Sequence, residues 1–353
     1  MIQRALQQPE TQRATSHTAR ALLDRHFETA ELAALLGTRD ATSLSLARAA
    51  TWAPLADVLS RPGKGVRARL VERAHAIGRE AALGKGQPLP PALAQLLELL
   101  HAGSLIIDDI EDGALTRRGA PALHRVIGTP LAINAGNFLY FLPLLALDEL
   151  GFDDTTALAM HRQITRSLLR CHHGQALDLS LRVCDLSREQ LTAAVELSTC
   201  LKTGALMELA CALGALAAHA PPSVAQALTR FGCEAGIALQ MLDDLSGFIN
   251  PARREKALED LVALRPTWAW VLAAEQVDDA TLLQWQRLAT TINDDSSAAP
   301  LLLEQIAARI CSLREVPRVR IARALDELRN SVGDLPSLSS LALDLRELEH
   351  GYV

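Results

Sequence analysis

Two apolar, helix-forming stretches of the chain each end in paired aspartates. The first, LLHAGSLIIDDIEDGALTRRG (99–119), runs into Asp108, Asp109 and Asp112 and then into Arg117 and Arg118. The second, FGCEAGIALQMLDDLSGF (231–248), turns acidic at Asp243 and Asp244. On a helix, Asp108 and Asp112 share a face, Asp109 lies a third of a turn round, and Glu111 points elsewhere. Like charges four residues apart cost a helix about a few tenths of a kcal/mol, and more where water is scarce. A divalent cation reverses that penalty. Magnesium suits the spacing because it takes one or two protein carboxylates and completes its shell with water and phosphate oxygens. One such cluster fits a solvated helix end equally well, but two facing each other would hold cations around a diphosphate.

Cationic residues accompany both clusters: Lys64 and Arg67 in GKGVRAR, Arg117 and Arg118, Lys202 in LKTG, and Lys256 and Arg265 beyond the second cluster. Arginine forks onto phosphate oxygens and lysine acts as a point charge, so the mixture fits two anionic groups in one cleft. No Ser/His/Asp or Cys/His arrangement suggests a side-chain nucleophile.

What must position these residues is a set of helices. Of 353 residues, 49% are hydrophobic but only 3% aromatic, which favours helix over sheet. Breaks containing Gly, Pro or Asn/Asp fall at 61–65, 84–91, 117–121, 151–154, 219–223, 250–254, 293–300 and 333–337, for known backbone reasons. Residues 93–107 and 201–218 are apolar nearly all round and read as central, buried helices. No linker divides the chain, so one helical unit over 1–353 is expected, with residues 1–20 and the tail EHGYV poorly ordered.

A net charge of -6 argues against a nucleic-acid partner. No signal peptide and no apolar run near the roughly 20 residues of a membrane span is evident, so no stable membrane insertion and a cytoplasmic setting are expected. The six cysteines lack metal or redox spacing and read as buried thiols. His172 and His173 in CHHG point to different faces, which disfavours a metal site. The basic run REVPRVRIAR (314–323) reads as a solvated face.

With these residues in hand, the chain resembles the trans-polyprenyl diphosphate synthase family. The resemblance runs from about residue 60 to about 275, through GKGVRAR, HAGSLIIDDIEDGALTRRGAPALH, AINAGNFL, GQALDL, LKTGAL, GIALQMLDD and KALEDLVALRPTW. It implies an all-α isoprenoid synthase bundle, a homodimer, whose central cavity joins an allylic prenyl diphosphate to isopentenyl diphosphate with Mg2+. By the same resemblance Asp108 and Asp112 coordinate magnesium with Asp109 in support, and Asp243 binds a further magnesium from the opposite wall. Arg117, Lys202 and Arg265 hold the allylic diphosphate; Lys64, Arg67, His101 and Arg118 hold isopentenyl diphosphate. Gln175, Thr203 and Gln240 match positions beside the reacting allyl group, although each also reads as a buried polar residue bonded to a neighbouring helix.

The chain departs from the family at Gly247, where a third aspartate is usual, and at Asn137, Ile107 and Arg265. Small Gly103 and Ser104 one turn before Asp108 leave no bulky floor, while Phe138, Tyr140 and Phe141 are candidates to close the cavity. The product expected is geranylgeranyl diphosphate first, farnesyl diphosphate second. A regulatory, non-catalytic subunit of the same fold is one alternative, which Gly247 favours. A class I terpene cyclase is the other, weakened by Gly247 and Pro251 at the positions of its Ser and Glu.

Overall fold

The computed structural model describes residues 19–84, 87–295 and 297–351. Helices account for nearly all of the regular structure, and among the described residues the sheet is one two-stranded hairpin, Thr116–Arg117 paired with Ala120–Pro121. The all-α expectation holds.

Helix α1 (Val66–Ala81) and α2 (Pro91–Glu111) lead into that hairpin. Helices α3 (Thr129–Asp148) and α4 (Asp154–Ser180) follow. A helix without a break in direction then runs from α5 (Arg188–Thr199) through a π turn (Cys200–Gly204) into α6 (Ala205–Ala217). In α6 every residue except Glu208 and Leu216 is buried, as the apolar-all-round stretch requires. Helix α7 (Pro222–Ile249) joins two cores: Phe231, Leu239 and Leu242 pack with α1, α2 and α6, while Ile237, Met241 and Leu245 pack with α9 (Trp268–Ala274), which follows α8 (Arg254–Val262). Asp243 therefore emerges at the seam between the cores.

The π turn is where the chain was least readable. An extra residue in one helical turn swings a side chain out of register, and such turns recur at functional sites. This one carries Lys202 and Thr203. It is gripped from both sides at glycines: a Cβ on Gly236 of α7 would lie 2.9 Å from Gly204 Cα and 3.0 Å from the Thr203 carbonyl oxygen, and one on Gly174 of α4 would lie 2.8 Å from Lys202 Cγ.

The break between α4 and α5 contains neither Gly nor Pro and was not expected. Its signal is SREQ: the Ser187 hydroxyl accepts from the Gln190 N–H, and the Gln190 side chain accepts from the Ser187 N–H, a reciprocal cap that starts α5. The hairpin over RRGAP turns through Arg118 and Gly119, with φ of 54° and 75°. Two left-handed central residues suit a two-residue hairpin, and arginine is an unfavourable choice for the first.

Several expectations need correction. Residues 19 and 20 are not loose: they begin a helix over 19–26, with Ala19 and Leu23 buried and Arg20 bonded to Asp24 at 2.8 Å. The rest of 1–20 lies outside the described residues. Glu349 and His350 close the helix Pro336–His350, while residues 352–353 of the tail lie outside the described residues. Of the six free cysteines only Cys211 is buried, and Cys311 is exposed. Thr129–Asp148 and Arg188–Ala217 are long and apolar enough to cross a membrane, contrary to the reading that no run comes close. Asn134 and Asn137 in the first segment, and isolated charges such as Glu196 and Lys202 in the second, interrupt the apolar runs without removing their mean hydropathy. The second is 67% buried in the bundle, and a buried core helix meets the same length and composition test.

Gly236→Val should cost about 1–3 kcal/mol, because a branched side chain has no room against the π turn. Chemical denaturation followed by circular dichroism measures it, and unchanged stability would contradict the close packing. Arg118→Gly should instead gain about 1 kcal/mol in the same assay by relieving the left-handed conformation.

Candidate active site

The inner end of α2 gathers a cluster of mixed charge. Asp109 is 2% exposed and accepts a hydrogen bond from Arg117 Nε at 2.7 Å. Arg117 also lies 3.6 Å from Asp108. The hairpin is what turns Arg117 back toward the helix it follows. Lys202 reaches in from the π turn, 2.6 Å from Asp178 and 3.8 Å from Asp108. Arg265, on the segment between α8 and α9, pairs with Asp112. Gln175 of α4 donates to Asp108 at 3.1 Å and to Glu111 at 2.6 Å, so Glu111 is drawn to the cluster rather than pointing away.

Among the described residues, five carboxylates (Asp108, Asp109, Glu111, Asp112, Asp178) stand here against three cations (Arg117, Lys202, Arg265). The excess is negative. Burial and the neighbouring Asp108 push the Asp112 carboxyl above its ordinary value despite Arg265. Burial is the larger cause and the like charge one turn away the second. Asp108 and Asp112 offer two oxygen donors one turn apart, which fits magnesium, an ion that needs no larger protein cage. No group of three or more His, Cys, Asp or Glu among the described residues is arranged to hold a metal.

Beyond the hairpin the sign reverses. Burial, then the guanidinium groups of Arg67, Arg118 and Arg117, push His101 well below its ordinary value, leaving a neutral ring. Burial lowers Arg118 too, against Glu98 and with Arg117, Arg67 and Arg61 adding to the effect. Arg61, 8% exposed, bonds Asp57 at 2.7 Å and the Arg117 carbonyl at 3.2 Å. Lys64 lies between Gly63, which abuts the Arg118 guanidinium, and Gly65, the N-cap of α1. Positive side chains beside the N-terminus of a long helix form a ready anion site. A small pocket lined by Arg61, Leu105, Asp109, Arg117 and Arg118 opens beside them. The structure therefore brings Arg67, His101 and Arg118 together, with Lys64 next to them in the chain.

The second acidic helix end behaves differently. Asp244 has both oxygens engaged: Gln240 Nε2 donates at 2.8 Å and the Trp268 N–H at 3.0 Å. Burial raises its carboxyl to about 7 in spite of Lys256. Thr203 donates to Gln240 at 2.9 Å. Thr203, Gln240 and Asp244 thus tie the π turn to α7 and α9, the helix-bonding reading of those residues. Asp243 is held by Arg253 at 2.8 Å and Lys256 at 3.1 Å. Burial alone would raise it, but these two cations outweigh that and keep it below its ordinary value. A string of charges joins the two walls: Asp243, Lys256, Asp260 at 3.4 Å from Lys256, Arg265 in the field of Asp260, and Asp112.

The space below Asp108 differs from expectation. Gly103 does not open a cavity: a Cβ there would meet the Gly136 carbonyl at 2.9 Å, so its smallness lets α2 and α3 touch. Ile107 lies against Gly136, and Ser104 bonds the His101 carbonyl. Phe138 packs on His26 and Phe27, and Phe141 is 68% exposed, so neither closes the hollow. Tyr140 remains near Asp108 and Glu111, edge-on to His172.

His172 also bonds the Leu168 carbonyl as an ordinary helix residue. In the basic run, Arg320 is taken up by Glu234 at 2.7 Å and Glu196 at 3.1 Å. Reasoning from sequence missed Asp178, Asp260, Arg253 and Arg61. Asp178 had a signal, three residues beyond Gln175 on the same face, and so had Asp260, four residues beyond Lys256 within α8; Arg253 and Arg61 sit in or beside turns whose path the pattern does not give.

Residues 50–306 match the family model described as polyprenyl synthetase. Geranylgeranyl pyrophosphate synthase of Penicillium janthinellum is 33% identical over 218 residues, covering 59% of this chain and 54% of the relative. The chain spans about half the length of the curated relatives it matches. Geranylgeranyl pyrophosphate synthase from Corynebacterium glutamicum, solved with isoprenyl diphosphate and magnesium, superposes with a TM-score of 0.73 at 21% identity, covering 97% of this chain and 98% of that one. Polyprenyl synthetase from Streptomyces coelicolor does so with a TM-score of 0.68 at 25% identity, covering 98% of each chain. With the family model matching 50–306, which contains both acidic helix ends and the cations around the hairpin, the chain belongs to the polyprenyl synthetase family.

Proposed function

We propose that the protein is a trans-prenyltransferase that joins isopentenyl diphosphate to an allylic diphosphate, with geranylgeranyl diphosphate as the main linear product. The observation that carries this is the juxtaposition, across one hairpin, of a cluster in which carboxylates outnumber cations and an arginine- and histidine-lined anion site. Two diphosphates need two such sites. The name and the ligands of the relatives support the substrate class and the product length.

Magnesium at Asp108 and Asp112, when bound, would withdraw charge from the allylic diphosphate as a Lewis acid. Arg117, Lys202 and Arg265 flank that position and stabilise the charge growing on the leaving group. Asp109 keeps Arg117 in place. Arg67, Arg118, His101 and Lys64 hold isopentenyl diphosphate on the other side of the hairpin, and its bound anion offsets their mutual repulsion. The apolar faces of α2, α6 and α7 exclude water while the allylic cation exists. The departed diphosphate takes the proton that the new carbon–carbon bond releases, so no side-chain base is needed.

The assembly belongs to the same proposal. Leu131, Ile133, Phe141 and Leu145 of α3 and Leu158 and Leu169 of α4 are exposed apolar residues, from 36% to 68% accessible, a face suited to a symmetric dimer. The free cysteines accord with a cytoplasmic setting.

Incubating the purified protein with magnesium, isopentenyl diphosphate and dimethylallyl, geranyl or farnesyl diphosphate tests the reaction. A twenty-carbon linear diphosphate is expected by mass analysis, and Asp108→Ala should cut turnover by about 10²-fold or more. A cyclised hydrocarbon would favour the cyclase, and no product the regulatory subunit. Light scattering should give the mass of a dimer for the native chain and of a monomer for Phe141→Asp.

A further inference from the structure

The two acidic helix ends are not equivalent as metal sites. On the first, carboxylates outnumber cations: Asp112 pairs with Arg265 and Asp109 with Arg117, but Asp108 meets its ammonium and guanidinium neighbours only at 3.8 and 3.6 Å. On the second, Asp243 and Asp260 face Lys256 and Arg253, and each Asp243 oxygen already has its own cation: Oδ1 takes Arg253 at 2.8 Å and Oδ2 takes Lys256 at 3.1 Å. Asp244 is buried, with its two oxygens bonded to Gln240 and to the Trp268 N–H.

Gly247 removes the remaining donor, and the backbone has closed over its place. A Cβ on Gly247 would lie 2.9 Å from Ala257 Cβ and 3.0 Å from the Ala257 nitrogen. Helix α8 therefore occupies the volume a carboxylate would need, and the same helix brings in Lys256. Arg253 comes from the turn just before it, Pro251–Arg253, which the Asn250 side chain caps by accepting from the Ala252 N–H. The segment that packs on Gly247 is thus the one that sets both cations on Asp243.

We infer that on this wall Arg253 and Lys256 stand in for metal: they meet the diphosphate directly, and divalent cations are confined to the Asp108–Asp112 side. The inference rests on the diphosphate reading above and specifies how that site is charged. An ammonium and a guanidinium neutralise phosphate oxygens without the ordered water shell a magnesium ion carries. The wall would then bind anions even when metal is scarce.

Manganese bound per chain, counted by electron paramagnetic resonance in the presence of inorganic pyrophosphate, tests this. Asp243→Asn should bind as many ions as the native chain, Asp112→Asn fewer, and Arg253→Met one more, because Asp243 is then freed as a ligand. Without metal, Arg253→Met should weaken pyrophosphate binding by about tenfold, measured by calorimetry. Circular dichroism confirms that each variant is folded. Loss of a manganese ion in Asp243→Asn, or unchanged metal-free pyrophosphate affinity in Arg253→Met, would overturn the inference while leaving the diphosphate site intact. Failure of the native chain to bind pyrophosphate with or without manganese would remove the diphosphate reading and the inference together.

Discussion

A carboxylate at the inner end of a buried helix is stable only where positive charge stands beside it. Much of the irregular backbone in this bundle answers that requirement. The π turn between α5 and α6 swings Lys202 toward Asp108 and Asp178. The two-residue hairpin folds Arg117 back onto Asp109, and the segment before α9 delivers Arg265 to Asp112. Each device costs regular structure: an unpaired helical register, a left-handed arginine, a loop against the core. Together they offset part of the first cluster's negative charge and leave carboxylates in excess, the condition under which a dissociable divalent ion binds.

The hairpin also separates two chemistries. Arg117 turns inward to the carboxylates while Arg118, the next residue, turns to His101 and Arg67. Arg117 ends the first strand and Arg118 opens the left-handed turn, so the backbone changes direction between them and the two side chains part. The strained Arg118 conformation belongs at the border between a site that collects cations and one that collects anions.

Helix content, the buried character of 93–107 and 201–218, and the pairing of Asp108 with basic partners were legible because each depends on a period of 3.6 or on a few adjacent residues. Other features were not. A π turn leaves no mark in hydrophobic periodicity, since CLKTG reads as ordinary helix. Gly103 looked like an opening because a small residue signals either a void or a close approach, and only the partner helix decides. Glu111 appeared to face away until Gln175 reached it from α4. Gly247 read as a missing ligand; the packing of Ala257 against it shows that the neighbouring helix also fills the place of its side chain. In each case the missing information was a partner distant in sequence.

The central claim is that Asp108 and Asp112 share a metal ion that a diphosphate completes. Anomalous scattering from crystals grown with manganese and inorganic pyrophosphate tests it most directly. The account predicts a manganese peak bonded to both carboxylates and to a pyrophosphate oxygen, with Arg117, Lys202 and Arg265 around that anion. Pyrophosphate bound with no manganese at Asp108 and Asp112, or manganese confined to the outer surface, would contradict it.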